Sequence, residues 1–357
     1  MSDGLEGVIA AETVLSHVDG AAGRLIVRGA DIEKLAGRVS YEAMARRLWD
    51  GLAPAVPDEA GLRAALGEAR VTAWRRLPAL LAAAEGLPVI DGLRAGLALL
   101  PDGDDTHVRA SAATAVFAAA LSRHRRGLAP IEPDPALGQA ADYLRLLRGA
   151  EADAAAVAAM DTYLVTVADH GLNASTFTAR VVASTRAGMV ASLTAALCAL
   201  QGPLHGGAPG PVLDMLDDIG SEARIEAWID QAMDGKQRLM GFGHRVYRTR
   251  DPRADVLKDV VRRLTPASAG RIAFAGKVEQ AALAALAKRH PDRRLDTNVE
   301  FYTALALEAL QIPRDLFTPT FAVGRVLGWA GHVFEQEQGG RLIRPASAYV
   351  GPLPEAA

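Results

Sequence analysis

Three histidines stand where the surrounding sequence is built largely from glycine and proline. They are His170 in DHGLNASTF (169–177), His205 in GPLHGGAPGP (202–211) and His244 in GFGHRVYRTRDPRA (241–254). A carboxylate, Glu300, follows in TNVEFY (297–302). Histidine donates a hydrogen bond or moves a proton near neutral pH, and glycine beside it lets backbone and ligand come close. Histidines and a carboxylate at glycine-rich turns or element ends point to proton chemistry at a carbonyl. A loop histidine among glycines has little packing role. Glu300 by itself also fits an ordinary acid at a helix N-terminus, favoured there by the dipole.

Arginines accompany these segments: Arg245, Arg248 and Arg253 after His244, Arg325 in FAVGRVLGW, and Arg344 in RLIRPASAY. Arginine pairs bidentately with carboxylates and phosphates. The set suggests a small polycarboxylate substrate and leaves room for a phosphorylated cofactor. The same arginines fit helix C-caps and surface pairs equally well. Other chemistries lack their spacing. There is no HxxxH and no cysteine pair, so no metal is expected. There is no GxxxxGK[ST] loop, GFGHRV lacks the third glycine of a dinucleotide fingerprint, and no GxSxG elbow is present. His332, on an apolar helix, reads as a core or interface residue, and His17, His107, His124 and His290 read as surface.

The chain has 357 residues, half of them hydrophobic, enough for one large domain or two. Its net charge of -3, from 39 basic and 42 acidic residues, gives no basic bias toward nucleic acid. The single cysteine, Cys198, excludes an internal disulfide framework, fits a reducing cytoplasm and reads as a buried core thiol. MSDGLEGVIAAET has no basic region followed by an apolar one, so it is not a secretory signal. The apolar stretches are too short and interrupted to span a bilayer. A cytoplasmic chain with no nucleic-acid or membrane partner is expected.

Abundant alanine and leucine with few β-branched alternating runs favour a mostly helical protein. The exception is 12–32, where short alternating runs around DGAAG predict a β-hairpin. Helices are expected over 32–51 (two, the second with Ser40 as N-cap), 59–85, 91–100, 106–126, 136–149, 152–168, 174–186, 188–200, 211–234, 253–264, 276–289, 298–310 and 320–338. The clearest breaks lie at 202–211 and 311–319. The segment between them is domain-sized. If it is an insertion, histidines at the breaks face each other across a cleft.

Six motifs in order then carry a family resemblance over about 340 residues. LEGVIAAETVLSHVDGAAGRLIVRG, ADHGLNASTFTARVVAST, GPLHGGAPGPVLDML, MGFGHRVYRTRDPRA, TNVEFYTALALEALQIPRDLFTPTFAVGRVLGWAGHVFEQ and RLIRPASAYVG resemble citrate synthase. The resemblance implies an all-α fold with a short N-terminal hairpin: a large domain from 1–206 and 312–357, and a smaller inserted helical domain over 207–311. It implies a homodimer with an interdomain active site that closes on substrate. His205 matches the histidine that hydrogen-bonds the thioester carbonyl of acetyl-CoA. His244 matches the one that polarises the ketone of oxaloacetate, and Glu300 stands where the family's base removes the methyl proton. His170, Arg253 and Arg325 match oxaloacetate-binding positions. Arg344 matches an arginine reaching into the partner's site, and Arg248 a basic residue near the CoA phosphates. No cofactor is implied beyond acetyl-CoA as co-substrate.

Two positions depart from the commoner pattern. Glu300 replaces the more usual aspartate, moving the carboxylate by about an ångström, a displacement that matters unless the backbone compensates. Members with NVEF and GGAPGPV share this trait. Gly171 stands where glutamate often follows the DH pair. The expected activity is condensation of acetyl-CoA with oxaloacetate through an enol and hydrolysis of citryl-CoA. Two alternatives stand beside it. One is a 2-methylcitrate synthase using propionyl-CoA, one methyl away and so separated by only ~1–3 kcal/mol. The other, motivated by Glu300 and Gly171, is a catalytically silent paralogue with a binding or regulatory role.

Overall fold

The computed structural model describes residues 3–5, 7–206, 209–244, 246–264 and 269–352. Arg245 and the 206/207 domain boundary fall at or beside residues outside this set. The fold is helical, with one small antiparallel sheet at the N-terminus. Strands β1 (Ser16–Asp19) and β2 (Arg24–Val27) form the hairpin expected around DGAAG, with Ser16 opposite Val27 and Asp19 opposite Arg24. A two-residue strand, β3 (Ala30–Asp31), extends it.

Two long helices make the centre. Thr106–Arg125 is buried along almost its whole length, because its alanines allow neighbours to approach closely. Phe317–Gly339 lies across it and across Ala154–Val167 and Ala174–Ser184. A Cβ at Gly328 would stand 2.3 Å from the Ala168 carbonyl oxygen, so glycine is what lets these helices touch. Tyr41 and Trp49 donate to the carbonyls of Val323 and Leu327 at 2.9 and 3.0 Å, tying Tyr41–Trp49 to the same helix. Ser40 caps that helix, its hydroxyl accepting from the Ala43 N–H at 3.1 Å.

The helices between 209 and 309 pack largely on one another: Pro209–Ile219 and Pro252–Arg263 on Val299–Ala309, and Ile225–Asp234 on Ala269–Arg289. Pro252–Arg263 also touches Ala154–Val167, Ile32–Leu35 and β2. The expected helix 211–234 is two helices, broken at Gly220 by its positive φ of 69°. The helix expected from 276 begins at Ala269. Among the described residues no helix is long and apolar enough to cross a membrane.

Two sequence readings are corrected. Cys198 is exposed, because it lies on the outer side of Met189–Leu200. His107 is buried at 5% exposure, its ring edge-on to Trp49 and Phe334, and burial pulls its pKa down to about 4.

Candidate active site

The helix Ala154–Val167 ends two residues before Asp169-His170, with Ala168 as its C-cap. Gly171 takes a φ of 77°, where any side chain would be strained, and lets the chain reverse into Asn173. Asn173 caps Ala174–Ser184, its Oδ1 accepting from the Thr176 N–H at 3.1 Å. Asp169, fully buried, accepts from the Ser16 hydroxyl and contacts His332 Nε2 at 3.2 Å. His332 in turn contacts Arg180, which pairs with Glu335, so the core reading of His332 holds. His170 therefore rides on an ionic anchor that spans the hairpin and the long C-terminal helix. Burial and the charges of Arg325 and Arg253 hold its pKa well below the ordinary histidine value.

Arg325 is fully buried on Phe317–Gly339. Its Nε donates to the Val167 carbonyl, its guanidinium stacks 4.7 Å from the Phe321 ring centroid, and Nη1 and Nη2 have no hydrogen-bond partner among the described residues. Burial lowers its pKa to about 10, with nearby Asp169 favouring the charge and Arg253 opposing it. A buried guanidinium with two free donors is costly unless an anion meets it.

His205 is half-buried in the turn after Met189–Leu200, held by its own N–H to the Gly202 carbonyl at 2.9 Å. Its Nε2 is 2.8 Å from Ser175 Oγ, which also accepts from Trp329 Nε1 at 3.2 Å and reaches Asn173 Oδ1 at 2.7 Å. Burial and Arg325 lower its pKa to about 4.

His244, Arg253 and Glu300 come from two segments pinned to each other. Phe242 and Thr297 form an antiparallel bridge, Gly243 N–H donates to the Asp296 carbonyl at 2.8 Å, and Asn298 N–H donates to the Gly241 carbonyl at 2.9 Å. Asn298 Nδ2 donates to the Gly243 carbonyl at 2.8 Å, while its Oδ1 accepts from the Glu300 N–H at 2.9 Å, capping Val299–Ala309. Asp251 joins the parts. It caps Pro252–Arg263, grips the Arg253 guanidinium at 3.0 and 2.9 Å, and accepts from the Val299 N–H at 3.0 Å. Burial works against both charges of that pair, yet their mutual attraction prevails: the Asp251 pKa is lowered and that of Arg253 raised.

His244 Nδ1 accepts from the N–H groups of Val246 and Tyr247, both at 3.0 Å. That leaves Nε2 to carry the proton, so its 3.3 Å approach to Arg253 Nη2 brings two donors together and is not a hydrogen bond. The residue is exposed. Surrounding protein, then the Arg253 charge, depresses its pKa to about 4, with Asp251 opposing. Burial raises the Glu300 pKa, against the attraction of Arg238 and Arg253. Among the described residues the Glu300 carboxylate has no hydrogen bond or ion pair.

One cavity of about 330 Å³ is bounded by His170, His244, Tyr247 and Arg253, with His17 and Val18 of the hairpin as its opposite wall. The structure thus brings His170, His244 and Arg253 to one space. Electrostatic coupling ties Arg325 to His170 and His205, and Glu300 to Arg253. Arg248 and Arg344 are exposed and do not line that cavity. Ser175, Asp251 and Asn298 escaped the sequence reading; His17 is exposed, as read, and also lines the cavity. Asn298 and Asp251 carried a signal: each precedes a helix start as a standard N-cap type.

The chain is similar to known proteins over nearly its whole length. The family model described as citrate synthase, C-terminal domain, matches residues 4–346. A protein of Mycobacterium tuberculosis named putative citrate synthase 2 is 40% identical, covering 99% of this chain and 94% of its own length. Citrate synthase of Haloferax volcanii is 38% identical, covering 98% and 95%. Among solved structures, citrate synthase from Thermotoga maritima superposes with a TM-score of 0.88 at 32% identity, covering 100% of this chain and 98% of that one. The ternary complex of carboxymethyl coenzyme A and oxaloacetate with citrate synthase from Thermoplasma acidophilum gives a TM-score of 0.86 at 29% identity, covering 99% and 97%.

Proposed function

The chain belongs to the citrate synthase family and is an acyltransferase, and from that premise we propose that it condenses acetyl-CoA with oxaloacetate to citrate and CoA. The observation that carries the reading is Arg325, fully buried with both Nη groups unpartnered. Its charge couples to Arg253 and His170, and its free donors suit a carboxylate of a small dicarboxylate.

In this reading the arginines hold the two carboxylates and His244 donates from Nε2 to the ketone oxygen. The depressed pKa keeps its imidazole neutral at pH 7, and the two backbone N–H groups on Nδ1 fix the proton on the other nitrogen. Glu300 removes the methyl proton of the thioester. Its free carboxylate and raised pKa suit a base, and the Asn298 cap on its own N–H sets where the longer glutamate side chain begins. A base alone cannot ionise so weak a carbon acid, so charge growing on the thioester oxygen needs a fixed donor, here His205. Ser175 has one hydroxyl proton. That proton goes to Asn173 Oδ1, so Ser175 Oγ accepts from His205 Nε2–H, and the imidazole donates to the thioester oxygen from Nε2 once it turns away from Ser175. The enol then attacks the polarised ketone, and water cleaves citryl-CoA.

We further take 207–311 as a smaller domain that closes over the large one, excluding water until condensation is complete. Arg344, on the exposed extended tail, would reach the site of a second copy in a homodimer, and Arg248 would meet the CoA phosphates. The test is oxaloacetate-dependent release of free CoA thiol. Release from acetyl-CoA supports the reading, and none from any acyl-CoA in folded protein overturns it. A higher kcat/KM with propionyl-CoA replaces it with a 2-methylcitrate synthase.

A further inference from the structure

The tip of the N-terminal hairpin is pressed against the loop that follows His244. A Cβ on Gly20 would stand 2.1 Å from the Val246 carbonyl oxygen, far inside contact distance. Arg248 N–H donates to the Gly20 carbonyl at 2.9 Å. Two residues on, Arg250 binds both carboxylate oxygens of Glu33 at 2.8 and 2.9 Å and Asp255 at 2.6 Å. The loop is thus held by a backbone bond at 248, a bidentate ion pair at 250 and the Asp251 cap that follows.

What lies between these anchors and His244 gives the contact a chemical meaning. The N–H groups of Val246 and Tyr247 are the two donors to His244 Nδ1. We propose that the hairpin is a positioning element for His244, with Gly20 and the Glu33–Arg250 pair as its positioning residues. By pressing on Val246 the hairpin keeps both amides on Nδ1, and so keeps the proton on Nε2. If the loop relaxes, Nδ1 can take the proton, Nε2 becomes an acceptor, and the ring no longer donates to a ketone. The hairpin also forms a wall of the cavity through His17 and Val18, so one element shapes the substrate space and sets the polarity of its donor. Half-exposed pairs such as Glu33–Arg250 add little to global stability; the effect of this one is geometric. The inference rests on the reading of His244 as the group that polarises oxaloacetate.

The test compares the full chain with Gly20→Ala, Glu33→Gln and the charge swap Glu33→Arg/Arg250→Glu. For each, kcat and both KM values are measured, together with the carbonyl stretch of bound oxaloacetate by infrared difference spectroscopy. A displacement of about an ångström can cost ~100-fold, and Gly20→Ala is expected to lose kcat on that scale. The ketone stretch should move toward its value in water, a change that displacement of Arg248 alone would not produce. Glu33→Gln should lose about two- to fivefold, with the same direction of stretch, and the swap should recover only part of it, because the carboxylate it places at 250 also faces Asp255. Wild-type kcat and an unmoved stretch in both single variants overturn the inference. If Gly20→Ala does not fold, Glu33→Gln and the swap decide by the same two readouts. A wild type that neither binds nor turns over oxaloacetate overturns the activity reading itself, before any variant is compared.

Discussion

The two halves of the site are built on different principles. On the core side, His170, His205 and Arg325 are fixed by long buried helices, and the Arg325 charge is left without a directly bound counter-ion. On the loop side, His244, Arg253 and Glu300 are fixed by caps and backbone bridges, and the Arg253 charge is already met by Asp251 at 2.9 Å. The first half therefore carries an electrostatic debt that substrate can settle. The second is neutralised in advance and holds its groups in orientation. Binding strength should reside on the core side, and proton transfer and ketone polarisation on the loop side.

The largest test of that division is Glu300→Gln. The amide keeps the shape of the side chain and removes the base, so kcat should fall about 10³-fold, within the range for general base catalysis. Oxaloacetate affinity, measured by calorimetry, should stay within a few-fold of wild type. Near wild-type turnover would move the base elsewhere, and loss of oxaloacetate binding would put Glu300 on the binding side of the division.

The two arginines sharpen it next, because their removal should have opposite signs on stability. Arg253→Met leaves Asp251 buried and uncompensated, which costs about 3–5 kcal/mol. Arg325→Met removes a buried charge that nothing in the free protein directly pairs, so its thermal midpoint should equal or exceed that of wild type. Arg325→Met should nevertheless weaken oxaloacetate binding by about 2–5 kcal/mol, the usual result of truncating one partner of a buried charged contact. Equal losses of midpoint in both variants would show that the core-side charge is satisfied in the free protein, and the comparison would fail.

The same division explains what could be read from the sequence. His170, His205, His244 and Glu300 announced themselves because glycine turns and helix starts are local features. So was the hairpin, whose DGAAG turn sits between short alternating runs. Ser175 could not be singled out, since its role depends on Trp329 and His205 arriving from 154 and 30 residues away. The Glu33–Arg250 pair spans 217 residues and looks like two ordinary surface charges. His107 read as surface because the Trp49 and Phe334 that enclose it are remote in the chain, and Cys198 read as core because its neighbours are apolar. Local sequence exposed the reacting groups, while the scaffold that fixes their protonation is built from long-range contacts.

pH separates the halves more finely. With His205 and His244 depressed to about 4, neither should titrate near 6.5, and kcat should show no histidine limb there. Activity should instead fall as acid protonates Glu300, at a pH above its ordinary value of 4.5 because burial raises its pKa. Stability has its own signature. A histidine whose folded pKa is lowered binds its proton more readily when unfolded, so stability is complete above about 6.5 and is lost as pH falls toward 4. Replacing both His205 and His244 by glutamine should reduce the slope of thermal midpoint against pH across that window, leaving the share of His107 and His170. An unchanged slope would mean that these two rings have the same pKa folded and unfolded.

The smallest expected effect belongs to Arg248, which lies outside both halves. Its backbone N–H serves the hairpin contact, a bond that survives in Arg248→Ala, while its side chain is exposed. If that side chain meets the CoA phosphates, its loss removes binding that ground state and transition state share. KM for acetyl-CoA should then rise with kcat unchanged. An exposed charge-assisted contact of about 1 kcal/mol corresponds to roughly fivefold in KM. The difference should shrink as ionic strength rises and the Debye length shortens. A fall in kcat instead would mean that the side chain, and not only the backbone of this loop, helps to hold His244, and the boundary between positioning backbone and binding side chain would have to be redrawn.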